Sequence, residues 1–352
     1  MQEYTGGEFI VMGIPGETID KETADIIAKV QPAGFILFAR NIKTPEQLRK
    51  LTDDLRASVK QVPIITIDQE GGRVSRLKEF MTEPPSAKKL TEHGDLSLIK
   101  THGKLTGKLL RLFGFNLNLA PVLDTLVNEE WVNSLKDRTY GTSAEQVIQN
   151  GGAFAEAMMA EGVLCCGKHY PGYSYANVDP HAELPSIDRS MEDLQSLEWI
   201  PFRKTLQWVD MLMIGHVSYP KIDPSGLPAS LSRTMVHKVL REDWNFDGCT
   251  ITDDMDMGAI KNKYGSAESV LMALEAGNDI MLVCHAVTAV PEIAKAIIKA
   301  DRKVLDAAYA RIQKVRQKLS APAPFSMEAF KQLDKETAQM RDQVFSNQKA
   351  LV

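Results

Sequence analysis

The chain has 352 residues, of which 44% are hydrophobic and 25% charged, and its formal net charge is −5. These proportions are those of a soluble globular protein, and the acidic balance gives no reason to expect binding to nucleic acid or to an anionic membrane. No apolar run approaches the roughly eighteen residues of a membrane span. The N-terminus carries Glu3 rather than the basic start of a secretory signal, so we expect a cytoplasmic protein.

Short apolar runs alternate with longer amphipathic segments along the whole chain. Eight of these runs predict parallel strands buried on both faces, at 9–14, 34–38, 64–68, 117–124, 164–169, 211–217, 249–254 and 279–284. Seven amphipathic segments between and after them predict helices, at 44–59, 98–113, 143–161, 190–208, 232–243, 266–276 and 291–319. Thr44 before Pro45 and Ser143 before Gln146 are typical helix starts.

Eight βα units without a break in composition predict an α/β fold, a single (β/α)8 barrel over residues 1–320. A doubly wound sheet is the alternative. The stretch Ala321-Pro322-Ala323-Pro324 leads to a last amphipathic helix, so residues 321–352 are predicted to be a helical extension packed on the barrel. The four cysteines lie in apolar runs and are expected to be reduced and buried, and their spacing does not suggest a zinc site.

Catalytic groups of such barrels lie at the carboxyl ends of the strands. Polar residues close six consecutive predicted strands here, and few of them would be tolerated in so apolar a setting without a partner or a function. The longest of these segments, 168–185, has no helical period and contains Asp179-Pro180-His181. A loop of this length inside a compact domain is usually functional or disordered, and its aromatic residues favour function.

Several of these residues also have a purely structural interpretation. Asp124 and Asp254 either belong to the site or bind helix ends and loop amides. His216 is either a site residue or a barrel-mouth histidine satisfied by the protein. Glu70, beside Gly71-Gly72, is interpreted as supporting the tight turn, and the remaining histidines as structural or surface residues: His93, His102, His237 and His285.

Five motifs in order carry a specific resemblance. They are Ile67-Asp68-Gln69-Glu70-Gly71-Gly72-Arg73-Val74, Ala120-Pro121-Val122-Leu123-Asp124, Lys168-His169-Tyr170-Pro171-Gly172, Asp179-Pro180-His181 and Thr252-Asp253-Asp254-Met255. Together they resemble the glycoside hydrolase family 3 β-N-acetylglucosaminidases of the NagZ type. The resemblance spans roughly residues 9 to 285, nearly the whole predicted barrel.

The resemblance implies a role for each matching position. Asp253 would be the nucleophile and His181 the general acid/base, oriented by Asp179. The sugar would be bound by Asp68, Arg76, Arg138, Lys168 and His169, with His216 added as a candidate. No cofactor and no metal is implied. A histidine can give and take a proton near neutral pH, so the dyad suits retaining glycoside hydrolysis, although two carboxylates are the usual solution.

Asp253 must stay ionised to attack, so it needs basic neighbours, for which Arg138, Lys168 and His216 are the expected groups. The loop also departs from the family pattern, which commonly reads Lys-His-Phe-Pro-Gly-His-Gly and then Asp-Ser-His. Tyr173-Ser174 replaces the His-Gly pair, and Pro180 replaces the serine. Tyr173 and Tyr175 either stack on a sugar or pack the loop.

The resemblance therefore implies an exo-acting, retaining enzyme that removes terminal β-linked GlcNAc, with cytoplasmic recycling of cell-wall muropeptides as its role. The partner would be a small carbohydrate or muropeptide, and the protein is expected to be monomeric.

Other activities compete with this one. The Asp-x-His pair disfavours a family 3 β-glucosidase, and a phosphorylase stays open as an alternative. A metal-dependent barrel hydrolase would need ligands from His169, His181, His216 and Asp253, and a non-enzymatic sugar-binding protein would not be expected to retain both nucleophile and dyad.

Overall fold

The structure, a computed structural model, describes residues 3–127, 134–176 and 178–346. Eight parallel strands close into a barrel in which each strand pairs with its neighbours in chain order, and the last pairs with the first through Ile10 and Met281. This confirms the predicted (β/α)8 fold. The strands are β1 (Ile10–Gly13), β2 (Gly34–Leu37), β3 (Ile64–Ile67), β4 (Leu117–Asn118), β5 (Leu164–Tyr170), β6 (Met211–Ile214), β7 (Cys249–Asp254) and β8 (Ile280–Val283).

The fourth strand is much shorter than the predicted 117–124. The chain leaves the regular ladder at Ala120-Pro121, because a proline has no N–H to contribute to a sheet. The segment nevertheless runs on beside β5, where Val122 forms an isolated bridge with Lys168 and the Leu123 amide donates to the Lys168 carbonyl over 2.6 Å. Asp124 is thereby carried to the carboxyl end of β5.

The helices surround the barrel, and the predicted starts at Thr44 and Ser143 are confirmed, since both side chains accept a hydrogen bond from the amide three residues on. The α-helices lie at Lys21–Val30, Pro45–Ala57, Ala87–His93, Leu96–Leu112, Ala144–Met159, Met191–Ser196, Trp199–Thr205, Gly258–Lys261, Ser266–Ala276, Val290–Ile297, Arg302–Arg316 and Met327–Ser346. Thr234–Asp243 is a π-helix.

Two predicted helices are each divided in the structure. The 190–208 segment breaks at Leu197, whose φ of −144° is not helical, and Pro201 cannot donate to the Leu197 carbonyl four residues earlier. The 291–319 segment is interrupted after Ile298, and Asp301 caps a new helix by accepting from the Lys303 amide. The amphipathic period continues through both breaks, so the pattern alone does not reveal them.

The last helix packs by its Phe330, whose ring meets those of Phe80 and Phe113 edge-on at centroid distances of 5.5 and 5.6 Å. Residues 347–352 of the predicted extension lie outside the described residues, and the domain division at 320 stays a prediction. All four cysteines are buried free thiols, as predicted. Across residues 3–127, 134–176 and 178–346, no helix has both the length and the apolarity needed to cross a membrane.

Candidate active site

A cavity of about 260 Å³ opens at the carboxyl ends of the strands. Eight of the nine predicted site residues line it: Asp68, Arg76, Arg138, Lys168, His169, Asp179, His181 and Asp253. Two larger clefts, of about 840 and 460 Å³, lie at the amino end of β7, around Asn245 and Phe246. The smaller cavity is the candidate site because the titratable groups converge there, at the end where barrel enzymes carry their chemistry.

A buried network of two cations and two carboxylates forms one side of the cavity. Lys168, only 1% exposed at the end of β5, places its Nζ 2.7 Å from Asp68 Oδ1 and 2.6 Å from Glu70 Oε1. Arg138 forms a bidentate pair with Glu70, at 2.8 Å from Nε and 2.7 Å from Nη2. Such charges are tolerated in a protein interior only when paired in this way.

The network corrects the interpretation of Glu70 as a residue that supports the turn. Burial by itself would raise the pKa of Glu70, but the Arg138 guanidinium and the Lys168 ammonium outweigh it and keep that pKa well below its usual range. Lys168 and Arg76 lower the pKa of Asp68 against the same effect of burial. Both carboxylates are therefore ionised, and Asp68, which lines the cavity, can accept hydrogen bonds from a ligand.

Arg76 reaches the cavity from a small hairpin that the sequence analysis did not predict, formed by Gln69–Gly71 and Val74–Ser75. Gly71 and Gly72 have φ values of +103° and +54°, which explains the glycine pair at its turn. The Gln69 side chain accepts from the Arg76 amide, and Arg76 Nη2 lies 3.4 Å from Asp68. Because the Arg76 side chain is 30% exposed, part of its guanidinium faces the opening.

Asp124 is fully buried and anchors the loop that follows β5. Its Oδ2 accepts from the His169 amide over 3.0 Å and from His169 Nδ1 over 2.8 Å, while Oδ1 accepts from the Tyr173 amide over 2.7 Å. The structure thus confirms that Asp124 binds loop amides. It also orients His169, whose remaining ring nitrogen lies 3.3 Å from Arg138.

Asp253, the last residue but one of β7, lines the cavity near two histidines. Its Oδ1 accepts from the Asp254 amide over 2.9 Å, and the Tyr173 hydroxyl lies 3.5 Å from Oδ2. Burial would raise its pKa, but the nearby imidazoles of His169 and His216 and the Asp254 amide lower it. Asp253 is therefore ionised at neutral pH, as a nucleophile must be.

The groups that compensate Asp253 differ in part from those expected. Arg138 binds the carboxylate of Glu70, and Lys168 binds that of Asp68. His169, which was not among the expected groups, lowers the pKa of Asp253 instead. The contribution of His216 agrees with the expectation. Ion pairs between residues far apart in the chain compete for the same cations, and the sequence alone does not say which carboxylate each cation meets.

The structure does not bring His216 into the cavity. The residue is fully buried, its Nδ1 lies 2.8 Å from Ser230 Oγ, and its Nε2 lies 3.0 Å from the Asp254 carbonyl. Both ring nitrogens are thus engaged by the protein, which fits the interpretation of a satisfied barrel-mouth histidine. Asp254 likewise binds backbone amides, those of Asp256 and Cys284.

The Asp179–His181 pair approaches the cavity from the distal part of the β5 loop. Asp179 Oδ1 accepts from His181 Nδ1 over 2.7 Å and from the His181 amide over 3.0 Å. The His181 side chain is 69% exposed. Since Nδ1 binds Asp179, Nε2 is the nitrogen left to exchange a proton with a ligand.

This distal segment is attached to the loop after β7. The Gly258 amide donates to the His181 carbonyl over 3.1 Å, the Ala259 amide to the Pro180 carbonyl over 3.2 Å, and Asn262 Nδ2 to the Ala182 carbonyl over 3.1 Å. These bonds fix the backbone on both sides of His181 against the start of the helix Gly258–Lys261. The loop that carries the dyad is therefore joined to the segment that follows β7 and Asp253.

Arg73 lines the cavity close to the dyad but was not predicted as a site residue. Its position directly after Gly71-Gly72, in a hairpin that borders the cavity, was the feature of the sequence that could have identified it. Within the described ranges, no three His, Cys, Asp or Glu side chains gather closely enough to hold a metal ion.

Comparison with known proteins places this chain in a family. The model of the glycosyl hydrolase family 3 N-terminal domain matches residues 4–315. A β-hexosaminidase of Pseudomonas aeruginosa is 32% identical over 277 residues, covering 78% of this chain and 82% of the relative. A β-hexosaminidase of Thiobacillus denitrificans is 33% identical over 272 residues, covering 75% and 74%. The chain thus belongs to glycosyl hydrolase family 3 and is a glycoside hydrolase.

Solved structures define the type within the family. A family 3 β-N-acetylglucosaminidase from Paenibacillus superposes with a TM-score of 0.87 at 29% identity, covering 96% of this chain and 68% of that one. Native NagZ from Neisseria gonorrhoeae superposes with a TM-score of 0.80 at 26% identity, covering 95% and 97%. The enzyme is accordingly of the NagZ type.

Proposed function

We propose that the enzyme is a retaining exo-β-N-acetylglucosaminidase in which Asp253 is the nucleophile and His181, oriented by Asp179, is the acid/base. One observation carries this proposal: Asp253, on β7, and His181, on the loop after β5, line the same cavity as Asp68 and Lys168 of the charged network. An ionised nucleophile, a proton carrier and a polar sugar-binding surface are what two-step glycoside hydrolysis requires.

The first step transfers the sugar to the enzyme. An oxygen of Asp253 attacks the anomeric carbon while His181 Nε2 donates its proton to the leaving oxygen, so the glycosidic bond breaks as the ester bond forms. Asp179 stabilises the imidazolium before transfer and keeps Nε2 directed at the substrate. In the second step a water molecule gives a proton to His181 and attacks the anomeric carbon, which releases Asp253 and restores the starting configuration.

The size of the cavity supports cleavage at the end of a chain. A volume of about 260 Å³ is at or below the lower limit of ordinary ligand pockets and suits one sugar ring. Asp68, Lys168 and Arg76 would bind its ring hydroxyls, and His169 and Arg138 would complete the binding surface. The exposed position of His181 at the opening suits protonation of an oxygen that leads out to the rest of the substrate.

The sugar and the biological substrate are proposed from the relatives. Their names, β-hexosaminidase, β-N-acetylglucosaminidase and NagZ, favour GlcNAc as the sugar that is removed. We extend this to muropeptides with a terminal GlcNAc on 1,6-anhydro-MurNAc, released during cytoplasmic recycling of the cell wall.

The test is a panel of aryl β-glycosides of GlcNAc, glucose and xylose. We expect turnover of the GlcNAc compound to exceed the others by orders of magnitude, and Asp253→Asn to abolish it, because an amide cannot attack and form the ester. Asp256→Asn is the matched control, since Asp256 lies in the same loop but binds the amides of His285 and Ala286. Equal rates on all three sugars would refute the specificity, and an active Asp253→Asn enzyme would refute the nucleophile.

Phosphorolysis is a second candidate because the proposed acid/base is a histidine, which does not repel a phosphate dianion as a carboxylate does. Arg73 adds positive charge beside Asp179. The same assay with and without inorganic phosphate separates the two reactions. Hydrolysis predicts free GlcNAc at a rate that phosphate does not change, whereas GlcNAc 1-phosphate among the products would establish a phosphorylase.

A further inference from the structure

We propose that Tyr173 is a positioning residue for the nucleophile, donating the hydrogen bond of its hydroxyl to Asp253 and so stabilising the ionised carboxylate. The proposal rests on the proposed role of Asp253. Tyr173 is one of the residues by which the loop departs from the family pattern, and its hydroxyl lies 3.5 Å from Asp253 Oδ2. Of its two earlier interpretations, sugar stacking or loop packing, neither accounts for this contact.

The direction of the hydrogen bond follows from the other partner of the hydroxyl. The His216 amide donates to the Tyr173 oxygen over 2.6 Å, so that oxygen already acts as an acceptor. A phenol has one proton to donate, and among the described residues Asp253 is the acceptor that it reaches. Burial and the Asp253 charge both raise the pKa of Tyr173 well above its usual value, so the hydroxyl keeps its proton throughout the working range.

The phenol is held rigidly in the position that this contact needs. Tyr173 is 1% exposed, its amide is bound by Asp124, and its ring lies tilted against that of His169 at a centroid distance of 5.0 Å. The absence of a side chain at Gly215 makes room for it, since a Cβ there would lie 2.6 Å from the hydroxyl oxygen. Gly215, the residue directly after β6, therefore leaves room for the tyrosine beside the nucleophile.

The bond has a consequence for both steps of the reaction. A hydrogen bond to a carboxylate is stronger when the carboxylate is charged, so it favours the ionised form and lowers the pKa of Asp253. It keeps the carboxylate ionised at lower pH before attack, and it stabilises the charge that returns to Asp253 when water releases the sugar. The other titratable groups near Asp253 are His169, His216, His181, Asp254 and the Cys166 thiol.

The test compares the pH dependence of kcat/KM for Tyr173→Phe, Tyr219→Phe and the unmodified enzyme on an aryl N-acetylglucosaminide. Tyr219 is the matched control, because it is equally buried and donates to the Gly172 carbonyl of the same loop over 2.7 Å without touching Asp253. The acid limb of the kcat/KM profile, where activity falls at low pH, reports the protonation of Asp253. We expect Tyr173→Phe to move this acid limb upward by about half a pH unit and to reduce kcat several-fold. Tyr219→Phe should leave the acid limb in place.

A second variant covers the case in which loss of the hydroxyl disturbs the fold. Replacement of Tyr173 by 3-fluorotyrosine keeps the ring and hydroxyl but makes the phenol a stronger donor, so the acid limb should move downward. Identical acid limbs in the unmodified enzyme and in both Tyr173 variants would overturn the proposal. If the acid limbs are identical and Asp253→Asn is inactive, only the positioning role of Tyr173 is refuted. An active Asp253→Asn enzyme would refute the proposed function itself.

Discussion

The ammonium group of Lys168 is the most constrained charge in the site. It lies between Asp68 and Glu70, whose side chains are only 15% and 5% exposed, and this burial makes each of the three groups dependent on the others. Glu70 has a second cation in Arg138 at 2.7 Å, whereas the second cation of Asp68 among the described residues, Arg76, lies 3.4 Å away. Asp68 therefore depends on Lys168 most directly.

Replacing Lys168 with methionine should lower the free energy of unfolding and weaken sugar binding. The variant keeps the aliphatic stem but leaves Asp68 underpaired, and removing one partner of a buried pair typically costs about 3–5 kcal/mol. Urea unfolding measures the loss. Lys50→Met is the control, because Lys50 pairs with Asp54 on an exposed helix face and should change stability by less than about 1 kcal/mol. Equal losses in the two variants would contradict the account of the network.

His181→Ala tests the proposed proton donor. The variant should lose far more activity on substrates with poor leaving groups, by about 10² to 10⁴-fold, than on activated aryl glycosides, because only the former need a proton at the leaving oxygen. A series of aryl N-acetylglucosaminides with leaving groups of different pKa measures this. A folded variant with the same fractional loss across the series would exclude His181 as the acid.

At the scale of elements, the loop after β5 that carries His181 meets the helix Gly258–Lys261, which follows β7. Gly258 is in contact with this loop, and a Cβ at that position would lie 2.3 Å from the Ala182 carbonyl oxygen. No positive φ requires glycine there. The close approach of the two backbones is the physical reason for a glycine at this position.

Gly258→Ala should therefore displace the segment that carries His181 without touching Asp253. We expect this variant to fold and to lose activity in the same pattern as His181→Ala, with larger losses on substrates that have poor leaving groups. Gly265→Ala is the matched control, since Gly265 likewise lies at a helix start, as the N-cap of Ser266–Ala276, and a Cβ there meets nothing within 4 Å. An unchanged leaving-group dependence in Gly258→Ala would show that this contact does not position the dyad.

The barrel strands were predictable because each is a continuous apolar run, and the site residues at their ends follow from that register. Asp68, Lys168 and Asp253 were found in this way. The contact between Glu70 and Arg138 was not, because it joins residues of two different loops and has no local signal. The Tyr173 hydroxyl was missed for the same reason: its partners, His216 and Asp253, lie on β6–β7 segments far along the chain.

At the scale of the whole molecule, one buried acid outside the site links stability to pH. Glu198 is fully buried, and its Oε1 accepts from the Ser174 amide over 2.7 Å. Burial, assisted by the Asp124 charge, raises the pKa of Glu198 to about 8. The folded protein therefore binds this proton more tightly than the unfolded chain does, in which the pKa of a glutamate is about 4.3.

The sign of the effect follows from linkage. The stability contributed by protonated Glu198 is fully present below about pH 4 and is lost as pH rises through about 8. Glu198→Gln removes this titration while keeping an acceptor for the Ser174 amide. Urea unfolding between pH 5 and 9 should show the unmodified enzyme losing stability relative to the variant as pH rises, by a few kcal/mol over the range. Parallel curves would contradict a raised pKa for Glu198.

The whole barrel assembles the site from segments that are distant in the chain, and the covalent step through Asp253 is the claim on which the proposed mechanism depends. Trapping the intermediate tests it most directly. A fluorinated N-acetylglucosaminyl fluoride that slows the second step should label the enzyme once, and mass analysis of the proteolysed protein should place the sugar on the peptide that contains Asp253. A label on another residue, or no label with a product of inverted configuration, would contradict the account.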